Sequence, residues 1–334
     1  MRVALLGIAH VHADAYIVNL RAAAGVEVTA VADHDAEAAR RWGAAHDVPV
    51  AATAAEALAG ADAAVICAET ARHRELVELA ADAGVAVLCE KPLATSVEEA
   101  ETIVAACRTA GVPLMTAFPM RFSPPMQAVA EMVRAGRLGR IRACTGANQS
   151  ELPTRHRAWF ADPDLAGGGA LMDHIVHIAD ALRWFLGEEP VEVFALANRI
   201  IASEAVRVET AGVAVVTFTG GTFASIDASW SRPATYPRWG GLTMELLGTD
   251  GVTSVDPFRQ YLTGYAAEEP ATRWVAWGSD PNQAMIDEFI AAAREARKPS
   301  VTGEDGLRAT QVALAAGESA RSGRPVAIAP AQRS

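Results

Sequence analysis

The sequence predicts an α/β fold, with a doubly wound parallel sheet first and an α+β region with a mostly antiparallel sheet after it. Three observations predict this arrangement. Short apolar runs alternate with Ala-rich segments of helical spacing as far as Phe118, prolines then interrupt the rhythm, and later apolar runs are longer and separated by glycine turns. Apolar strands that alternate with helices indicate a parallel sheet covered on both faces.

The first region, residues 1–120, is predicted to be a dinucleotide-binding Rossmann domain. Its apolar, β-branched runs predict strands, and its Ala-rich runs have the spacing of amphipathic helices. The predicted strands are 2–6, 26–32, 61–67, 85–89 and 112–116, and the predicted helices are 14–24, 36–46, 75–83 and 97–110.

The second region, residues 121–330, is predicted to be a separate substrate-binding domain, to which the family resemblance described below adds a role in forming oligomers. Alternating segments bounded by turns such as Gly220-Gly221 and Asp250-Gly251 indicate antiparallel strands. The predicted strands are 140–148, 191–198, 211–219, 222–229, 243–247 and 273–277, and the predicted helices are 126–135, 166–185, 282–297 and 304–322. No low-complexity linker separates the regions, so we expect them to pack directly.

Composition excludes several classes of protein. The formal net charge of −11 argues against general nucleic-acid binding, which needs clustered Lys and Arg. No apolar stretch is long enough to cross a bilayer, and the apolar N-terminus is typical of a core strand rather than a signal peptide. Four cysteines without a C-x-x-C pair suit a reducing compartment, so we expect a cytoplasmic protein.

The first predicted strand ends in a loop that suits a dinucleotide. The segment is Gly7-Ile8-Ala9-His10-Val11-His12-Ala13, and the usual fingerprint is G-x-G-x-x-G/A. Gly7 holds the first position, whereas Ala9 and His12 replace the other glycines. Such glycines allow a tight turn and close approach of the pyrophosphate. An ordinary strand-to-helix turn is the alternative interpretation.

Asp33 supports the cofactor interpretation. It closes the second strand, where a carboxylate accepts hydrogen bonds from the adenosine ribose hydroxyls and repels a 2′-phosphate. His34 follows it rather than Arg, so NAD is favoured over NADP. The alternative is a turn residue, with Asp35 able to cap the next helix.

Two further clusters carry candidate chemistry. Glu90-Lys91-Pro92 follows a buried strand, at the sheet edge where ligands bind, although a surface Lys91 paired with Glu90 is the alternative. Three glycines, Gly167 to Gly169, predict a flexible entry to a helix that carries Asp173, His177 and Asp180. Asp173 and His177 are four residues apart and share a helix face, as an orienting carboxylate and a base require. A structural Asp–His pair is the alternative, and no metal site is expected because no third ligand is evident.

Taken together, these motifs resemble those of the Gfo/Idh/MocA family, named for glucose–fructose oxidoreductase and inositol dehydrogenase. The resemblance spans nearly the whole chain. It rests on Glu90-Lys91-Pro92 combined with G-G-G-x-L-x-D-x-x-x-H-x-x-D, together with the segments Thr70-Ala71-Arg72-His73, Arg121-Phe122, Leu247-Gly248-Thr249-Asp250-Gly251 and 318–324.

The resemblance implies roles for individual residues. Lys91 matches the family lysine that contacts the reacting hydroxyl and the nicotinamide region, His177 matches the general acid/base, and Asp173 is its partner at the substrate. It also implies a frequently cis Lys91–Pro92 bond, sugar or polyol substrates, and dimers or tetramers formed through the open sheet. Ala9 and His12 depart from the family pattern, so His10 and His12 are candidates to approach either the cofactor or the substrate. The residues expected to bind the cofactor are Gly7, Ile8, Ala9, His10, His12, Asp33, His73, Glu90 and Lys91.

We therefore expect hydride transfer between the nicotinamide of NAD and a secondary alcohol. His177 would remove the hydroxyl proton and Lys91 would stabilise charge on oxygen. The residues expected to contact substrate are Arg121, His156, Trp159 and His174, with Phe160, Trp230 and Tyr236 as further walls for which core packing is the alternative. Two other functions remain open: an NAD-using glycosidase or lyase, and a non-catalytic sugar or nucleotide sensor on the same fold.

Overall fold

Two sheets organise the chain. The computed structural model describes residues 1–155, 157–202, 204, 206–264, 273–276 and 278–330. The first sheet has five parallel strands in the order β2-β1-β3-β4-β5. They are β1 (Arg2–Leu6), β2 (Glu27–Ala32), β3 (Ala63–Ile66), β4 (Ala86–Cys89) and β5 (Leu114–Thr116).

Helices cover both faces of this sheet, so its central strands are buried. They are α1 (Ala13–Ala22), α2 (Ala36–His46), α3 (Ala54–Leu58), α4 (His73–Asp82) and α5 (Val97–Ala110), with α6 (Pro124–Arg134) following β5. Local chemistry sets several helix starts: Asp35, Thr53 and Ser96 each accept backbone N–H groups at an N-cap. The predicted doubly wound sheet is confirmed, and only the short α3 was not predicted.

The second sheet is mixed, with seven strands in the order β11-β10-β6-β9-β8-β7-β14. All described pairings in it are antiparallel except that of β6 with β9, its central pair. The strands are β6 (Ile141–Glu151), β7 (Pro190–Asn198), β8 (Ala211–Phe218), β9 (Phe223–Arg232), β10 (Gly240–Gly248), β11 (Val252–Val255) and β14 (Val326–Ala327), and β12 (Tyr261–Gly264) pairs separately with β13 (Arg273–Ala276). The mostly antiparallel sheet is confirmed, while β11, β12 and β14 were not predicted.

Four helices belong to this later part of the chain: α7 (Pro163–Ala166), α8 (Ala170–Leu186), α9 (Pro281–Arg294) and α10 (Gly303–Ser322). Helices α8 and α10 pack on one face of the second sheet, and α9 and α10 also reach α1 and α5 of the first region. The division of the chain at residue 120 therefore stays a prediction.

The other face of the second sheet is open. Its strands present apolar side chains to solvent at alternate positions, and the registers align them across three strands. The exposed apolar residues there are Phe194, Leu196, Val213, Val215 and Phe223. A shallow groove of about 840 Å³ lies on this face, lined by residues such as Thr145, Ser225 and Asp227.

Candidate active site

The order of the first sheet decides where its loops meet. The chain passes from β1 to β2 on one side and then returns to β3 on the other side of β1. This reversal is a topological switch point, where the loops after two neighbouring parallel strands leave a crevice at their carboxyl ends. The loop after β1 and the loop after β3 meet there: the His10 backbone N–H donates to the Cys67 carbonyl at 2.8 Å.

The loop after β1 has the features of a pyrophosphate site. Gly7 has a φ of +79°, and a Cβ at this position would lie 2.5 Å from Ala68, so only glycine fits. Helix α1 begins at Ala13, directly after this loop and without a side-chain cap, so no side chain neutralises the positive end of its dipole. These residues fit a bound dinucleotide phosphate although Ala9 and His12 replace two glycines.

Asp33 lies beside this loop, at the end of β2. Its carboxylate accepts the N–H of Ile8 at 2.8 Å and the N–H of Asp35 at 2.8 Å, and His34 Nδ1 lies 3.0 Å away. Carboxylate oxygens accept more than one hydrogen bond each, so Asp33 keeps capacity for a ribose hydroxyl. Asp35 instead caps α2, so the two carboxylates have separate tasks.

Glu90 lies beside both histidines of the loop after β1, residues 7–13, which we call the phosphate loop. Its Oε1 lies 2.8 Å from His12 Nδ1 and 3.7 Å from His10 Nδ1, while its Oε2 accepts the Lys91 backbone N–H at 3.0 Å. Burial opposes ionisation of Glu90, but His10, His12 and Lys91 outweigh burial and hold the pKa of its carboxyl well below the usual range. His12 therefore fills the place of a glycine with a hydrogen-bond partner for Glu90.

Lys91 turns away from Glu90 to a second carboxylate. The Lys91–Pro92 peptide bond is cis, as the resemblance implied. The ammonium lies 3.0 Å from Asp173 Oδ1, and Asp173 Oδ2 accepts the Trp230 indole N–H at 3.0 Å. Lys91 is 5% exposed, so the alternative of a surface lysine is wrong.

The same carboxylate approaches His174, whose Nε2 lies 3.6 Å from Asp173 and 3.1 Å from Ser150 Oγ. We call these five residues, Lys91, Asp173, Trp230, His174 and Ser150, the Lys91 cluster. Burial raises the pKa of Asp173, but Lys91, His174 and Trp230 together hold that pKa well below normal. The cluster therefore contains a carboxylate kept ionised by a buried cation.

The glycines before α8 serve close packing rather than flexibility, which corrects the predicted role. A Cβ at Gly169 would lie 2.1 Å from the Glu209 carbonyl oxygen, and one at Gly168 would lie 2.9 Å from Met172. Glu209 Oε1 accepts the N–H groups of Gly169 and Leu171 at 2.9 and 3.2 Å. This carboxylate binds the N-terminus of the helix that carries Asp173 and His177.

His177 lies one helical turn beyond Asp173. Its Nδ1 is buried without a hydrogen-bond partner in the described part of the chain, and Phe118 packs edge-on against its ring at 6.0 Å. Burial lowers the pKa of His177 well below its usual value, and the Lys91 charge lowers it further. The ring is therefore neutral near pH 7 and able to accept a proton. Asp173 binds Lys91 rather than His177 in the described contacts.

Residues from the connection between β6 and α8 close the crevice. The Ala9 carbonyl accepts Arg157 Nε at 3.0 Å and Trp159 Nε1 at 2.9 Å, and Trp159 stacks on Phe160 with ring centroids 4.1 Å apart. A cavity of about 10 Å³, lined by residues including Trp159, Phe160 and Asp173, lies beneath them. Trp159 thus reaches the predicted site, and its indole also joins the two regions.

Arg121 is placed differently from its predicted substrate role. Its guanidinium is buried and donates to Asp180 at 2.9 and 2.5 Å, and it lies 3.2 Å from Asp305. Arg183 joins Asp305 and also lies 2.7 Å from Glu189, which in turn accepts Arg308. The residues Arg121, Asp180, Arg183, Glu189, Asp305 and Arg308 form what we call the interhelix cluster. Asp180 and Arg121 thus bind each other, not His177 or the Lys91 cluster.

Two other predicted residues have structural partners. His73 is buried with Nδ1 3.1 Å from the Pro92 carbonyl and Nε2 3.2 Å from the Ala68 carbonyl, so it braces the Lys91–Pro92 turn and its predicted cofactor contact lacks support. His174 engages Ser150 with the nitrogen that would otherwise reach a substrate. His156 lies outside the described residues. Tyr236 lies under Arg232, 3.8 Å from its guanidinium.

The expected absence of a metal stays a prediction. Within the described residues, His10, His12 and Glu90 offer ligand atoms that lie within 4.8 Å of one another. The His12–Glu90 hydrogen bond and the His10 acceptor bond already use these atoms, and the Lys91 ammonium adds positive charge nearby. The donor set is suitable in type, but its neighbours disfavour a dication.

The sequence reasoning missed Glu209, Ser150 and Arg157. Ser150 and Arg157 reach the site only through the course of β6 and the segment after it, so their spacing in the sequence carries no signal. Glu209 stands just before a predicted strand, where a solvent-exposed acid is the ordinary expectation; its burial depends on the close approach of the glycines. Separately, none of the described helices is long and apolar enough to cross a membrane.

Comparison with known proteins gives two family matches. Residues 1–118 match an oxidoreductase family described as having an NAD-binding Rossmann fold, and residues 126–254 match the GFO/IDH/MocA C-terminal domain. Inositol 2-dehydrogenase of Rhizobium meliloti is 31% identical over 98% of this chain and 99% of its own. The 1,5-anhydro-D-fructose reductase of Ensifer adhaerens is 29% identical over 94% of each chain.

Solved structures agree in fold. The structure titled GenD2 from gentamicin A biosynthesis, in complex with NAD, has a TM-score of 0.88 at 26% identity and covers 99% of this chain and 97% of its own. A putative myo-inositol dehydrogenase from Sinorhizobium meliloti has a TM-score of 0.82 at 27% identity and covers 98% of this chain and 100% of its own. Both similarities extend over both sheets.

Proposed function

This chain belongs to the GFO/IDH/MocA oxidoreductase family, and from that premise we propose that it transfers a hydride between nicotinamide and a secondary alcohol of a sugar, polyol or related cyclic compound. The observation that carries the proposal is the buried Lys91–Asp173 pair at 3.0 Å, with the neutral His177 one turn further along α8. These groups lie at the carboxyl edge of the parallel sheet, beside a loop that fits a dinucleotide.

We propose NAD rather than NADP as the preferred cofactor. The support is Asp33, whose carboxylate lies at the end of β2 within 2.8 Å of the phosphate-loop N–H of Ile8. A carboxylate there accepts ribose hydroxyls and repels a 2′-phosphate. Relatives use both cofactors, since one similar protein is named a D-xylose 1-dehydrogenase (NADP(+)), so the choice depends on residues such as Asp33.

The proposed reaction has three chemical roles. His177, neutral and with an unpartnered nitrogen, would take the hydroxyl proton. The Lys91 ammonium would stabilise the negative charge that develops on the substrate oxygen, and Asp173 holds that ammonium in place. Nicotinamide, when bound, supplies the hydride acceptor or donor. The Arg157 and Trp159 contacts to Ala9 help to exclude water from this space.

The first test is a titration with each dinucleotide followed by an activity screen. We expect NAD to bind more tightly than NADP, and wild-type protein to form NADH with at least one compound among myo-inositol, aldoses and anhydrosugars. His177→Ala should lower turnover by about 10²–10⁴-fold while NAD affinity stays within a factor of two or so. His46→Ala removes an imidazole that packs on Trp42 and contacts Asp14 rather than Lys91 or Asp173, and it is the matched control with wild-type turnover.

Each alternative makes a different prediction for this test. Product formation without net NADH would support the glycosidase or lyase hypothesis, and dinucleotide binding without any turnover would support the sensor. Equal turnover in wild type and His177→Ala would contradict the assigned role of His177.

We also propose that the open face of the second sheet forms a homodimer or homotetramer interface. Its support is the row of exposed apolar side chains at Phe194, Leu196, Val213, Val215 and Phe223. Contiguous exposed apolar patches on soluble proteins mark interaction sites. Light scattering on wild type and Val213→Glu gives the mass of each, and a monomeric wild type would contradict this proposal.

A further inference from the structure

Two buried imidazole nitrogens lack a hydrogen-bond partner among the described residues: Nδ1 of His177 and Nε2 of His10. The proposed reaction uses His177. His10 is 2% exposed and has no assigned chemistry beyond an expected nearness to the cofactor or the substrate. A buried polar group without a partner is costly, so a ligand atom is the natural partner for each.

Local contacts fix the tautomer of His10. Its Nδ1 accepts the backbone N–H of His12 at 3.2 Å, so Nδ1 carries no proton. Burial lowers the pKa of His10 well below its usual value, although Glu90 opposes that shift. The ring is therefore neutral and its one proton is on Nε2. The unpartnered atom is thus a hydrogen-bond donor that requires an acceptor.

The surroundings of the ring indicate which ligand supplies that acceptor. His10 packs against Phe160 at 5.2 Å and Trp159 at 6.2 Å between ring centroids. The same two aromatic side chains line a small cavity whose wall also includes Asp173 and Met172. The ring therefore lies at the junction of the phosphate loop and the substrate side of the crevice.

The charges near His10 limit which kind of ligand atom can accept its Nε2–H. The Glu90 carboxylate, 3.7 Å from His10 Nδ1, is the charged group that acts most strongly on the ring, and it repels a second anion although the Lys91 ammonium attracts one. A neutral oxygen, a hydroxyl or a carbonyl, satisfies the Nε2–H donor without adding negative charge.

We propose that His10 is a substrate-binding residue, whose Nε2–H donates a hydrogen bond to a hydroxyl or carbonyl oxygen of the sugar or polyol. This inference rests on the proposed function and adds a specificity residue to it. His12 contributes by holding the tautomer through its backbone N–H, and its side chain serves Glu90. The phosphate loop of this chain then contacts both ligands, in place of a glycine loop that contacts only the cofactor.

Two substitutions separate this role from a merely structural one. His10→Gln keeps a donor near the position of Nε2 and loses the acceptor at Nδ1, whereas His10→Asn keeps an acceptor near Nδ1 and loses the distant donor. We expect the Asn variant to raise KM for the polyol about tenfold and the Gln variant to stay within about threefold of wild type. NAD affinity, measured by calorimetry, should be unchanged in both.

A structural role for His10 predicts the reverse order, with Gln worse than Asn, and that result would overturn the proposal. Loss of NAD affinity with unchanged KM would overturn it as well, since the donor would then belong to the cofactor. His46→Gln controls for removal of an imidazole outside the crevice.

The ring ¹⁵N spectrum of the wild-type protein tests the tautomer without any substrate. We expect a neutral ring protonated at Nε2, and a ring protonated at Nδ1 would overturn the proposal. Failure of the proposed function is distinguishable, because it would show as absence of NADH formation by the wild type itself.

Discussion

Helix α8 carries buried charge at both ends, and the two clusters differ in how fully their polar atoms are paired. Near its start, the Lys91 cluster lies beside two imidazole nitrogens that have no partner within the described residues. Near its end, Asp180 and Arg183 belong to the interhelix cluster, where bidentate contacts leave no buried side-chain atom unpartnered in the described part of the chain. The first arrangement suits a site that a ligand completes, and the second suits a scaffold.

This comparison teaches that burial of charge does not by itself identify an active site. Both clusters contain a cation and a carboxylate at about 3 Å. Arg121 belongs to a conspicuous motif and was predicted to bind substrate, yet its guanidinium is committed to Asp180 and Asp305. The two clusters are distinguished by whether buried polar atoms beside them lack a hydrogen-bond partner. This criterion separates them better than residue type does.

The largest effect should come from the interhelix cluster. Arg121→Met leaves Asp180 buried without its cation, and we expect a loss of about 3–5 kcal/mol in the free energy of unfolding. Urea denaturation measures it. The double variant Arg121→Met/Asp180→Leu should lose less, because it removes both charges. If Arg121→Met unfolds at the same urea concentration as the wild type, the interhelix cluster is not the scaffold that the comparison makes it.

Lys91→Met should lower the rate of the reaction rather than the stability of the fold. Removal of the ammonium takes away charge stabilisation at the reacting oxygen, so we expect kcat to fall about 10²–10³-fold. Steady-state NADH formation measures it, with NAD calorimetry as the control for an intact cofactor site. Comparable turnover in Lys91→Met and wild type would mean that the Lys91 cluster is a scaffold too.

The smallest effect is a pH dependence that comes from the buried histidines. Burial lowers the pKa of His10, His73, His174 and His177, so each is neutral when folded and gains a proton on unfolding below its unfolded pKa near 6.5. Stability should therefore fall as pH drops below about 6.5, by up to about 1.4 kcal/mol per pH unit for each histidine.

His177→Gln removes one of these groups and should flatten the curve of unfolding free energy against pH between pH 6 and 5 by that amount. Asp173 and Glu90 do not interfere, because their lowered pKa values affect stability mainly as pH falls below about 5. Burial raises the pKa of Asp180 to about 6 and so opposes the fall in stability, but Asp180 is common to both proteins and cancels in the comparison. Urea unfolding at several pH values supplies the curve, and an unchanged slope would show that His177 is charged when folded.

Much of the fold was accessible from the sequence, because periodicity and turn chemistry are local. The five strands of the first sheet and its long helices follow from apolar runs punctuated by residues such as Gly84 and Gly111, which adopt positive φ in the structure. The short strands β11, β12 and β14 carry too few residues for a pattern. The parallel pairing of β6 with β9 joins strands more than 70 residues apart, which no local signal encodes.

The sequence by itself determined the identity of the main chemical groups: a lysine after a buried strand, and an aspartate and histidine on one helix face. Tertiary structure alone decided their partners. It paired Asp173 with Lys91 rather than His177, committed Arg121 to Asp180, and turned the glycines before α8 into contact points for Glu209. The physical reason is that residue type and spacing set which face a side chain occupies, whereas burial and hydrogen-bond satisfaction depend on atoms from distant segments.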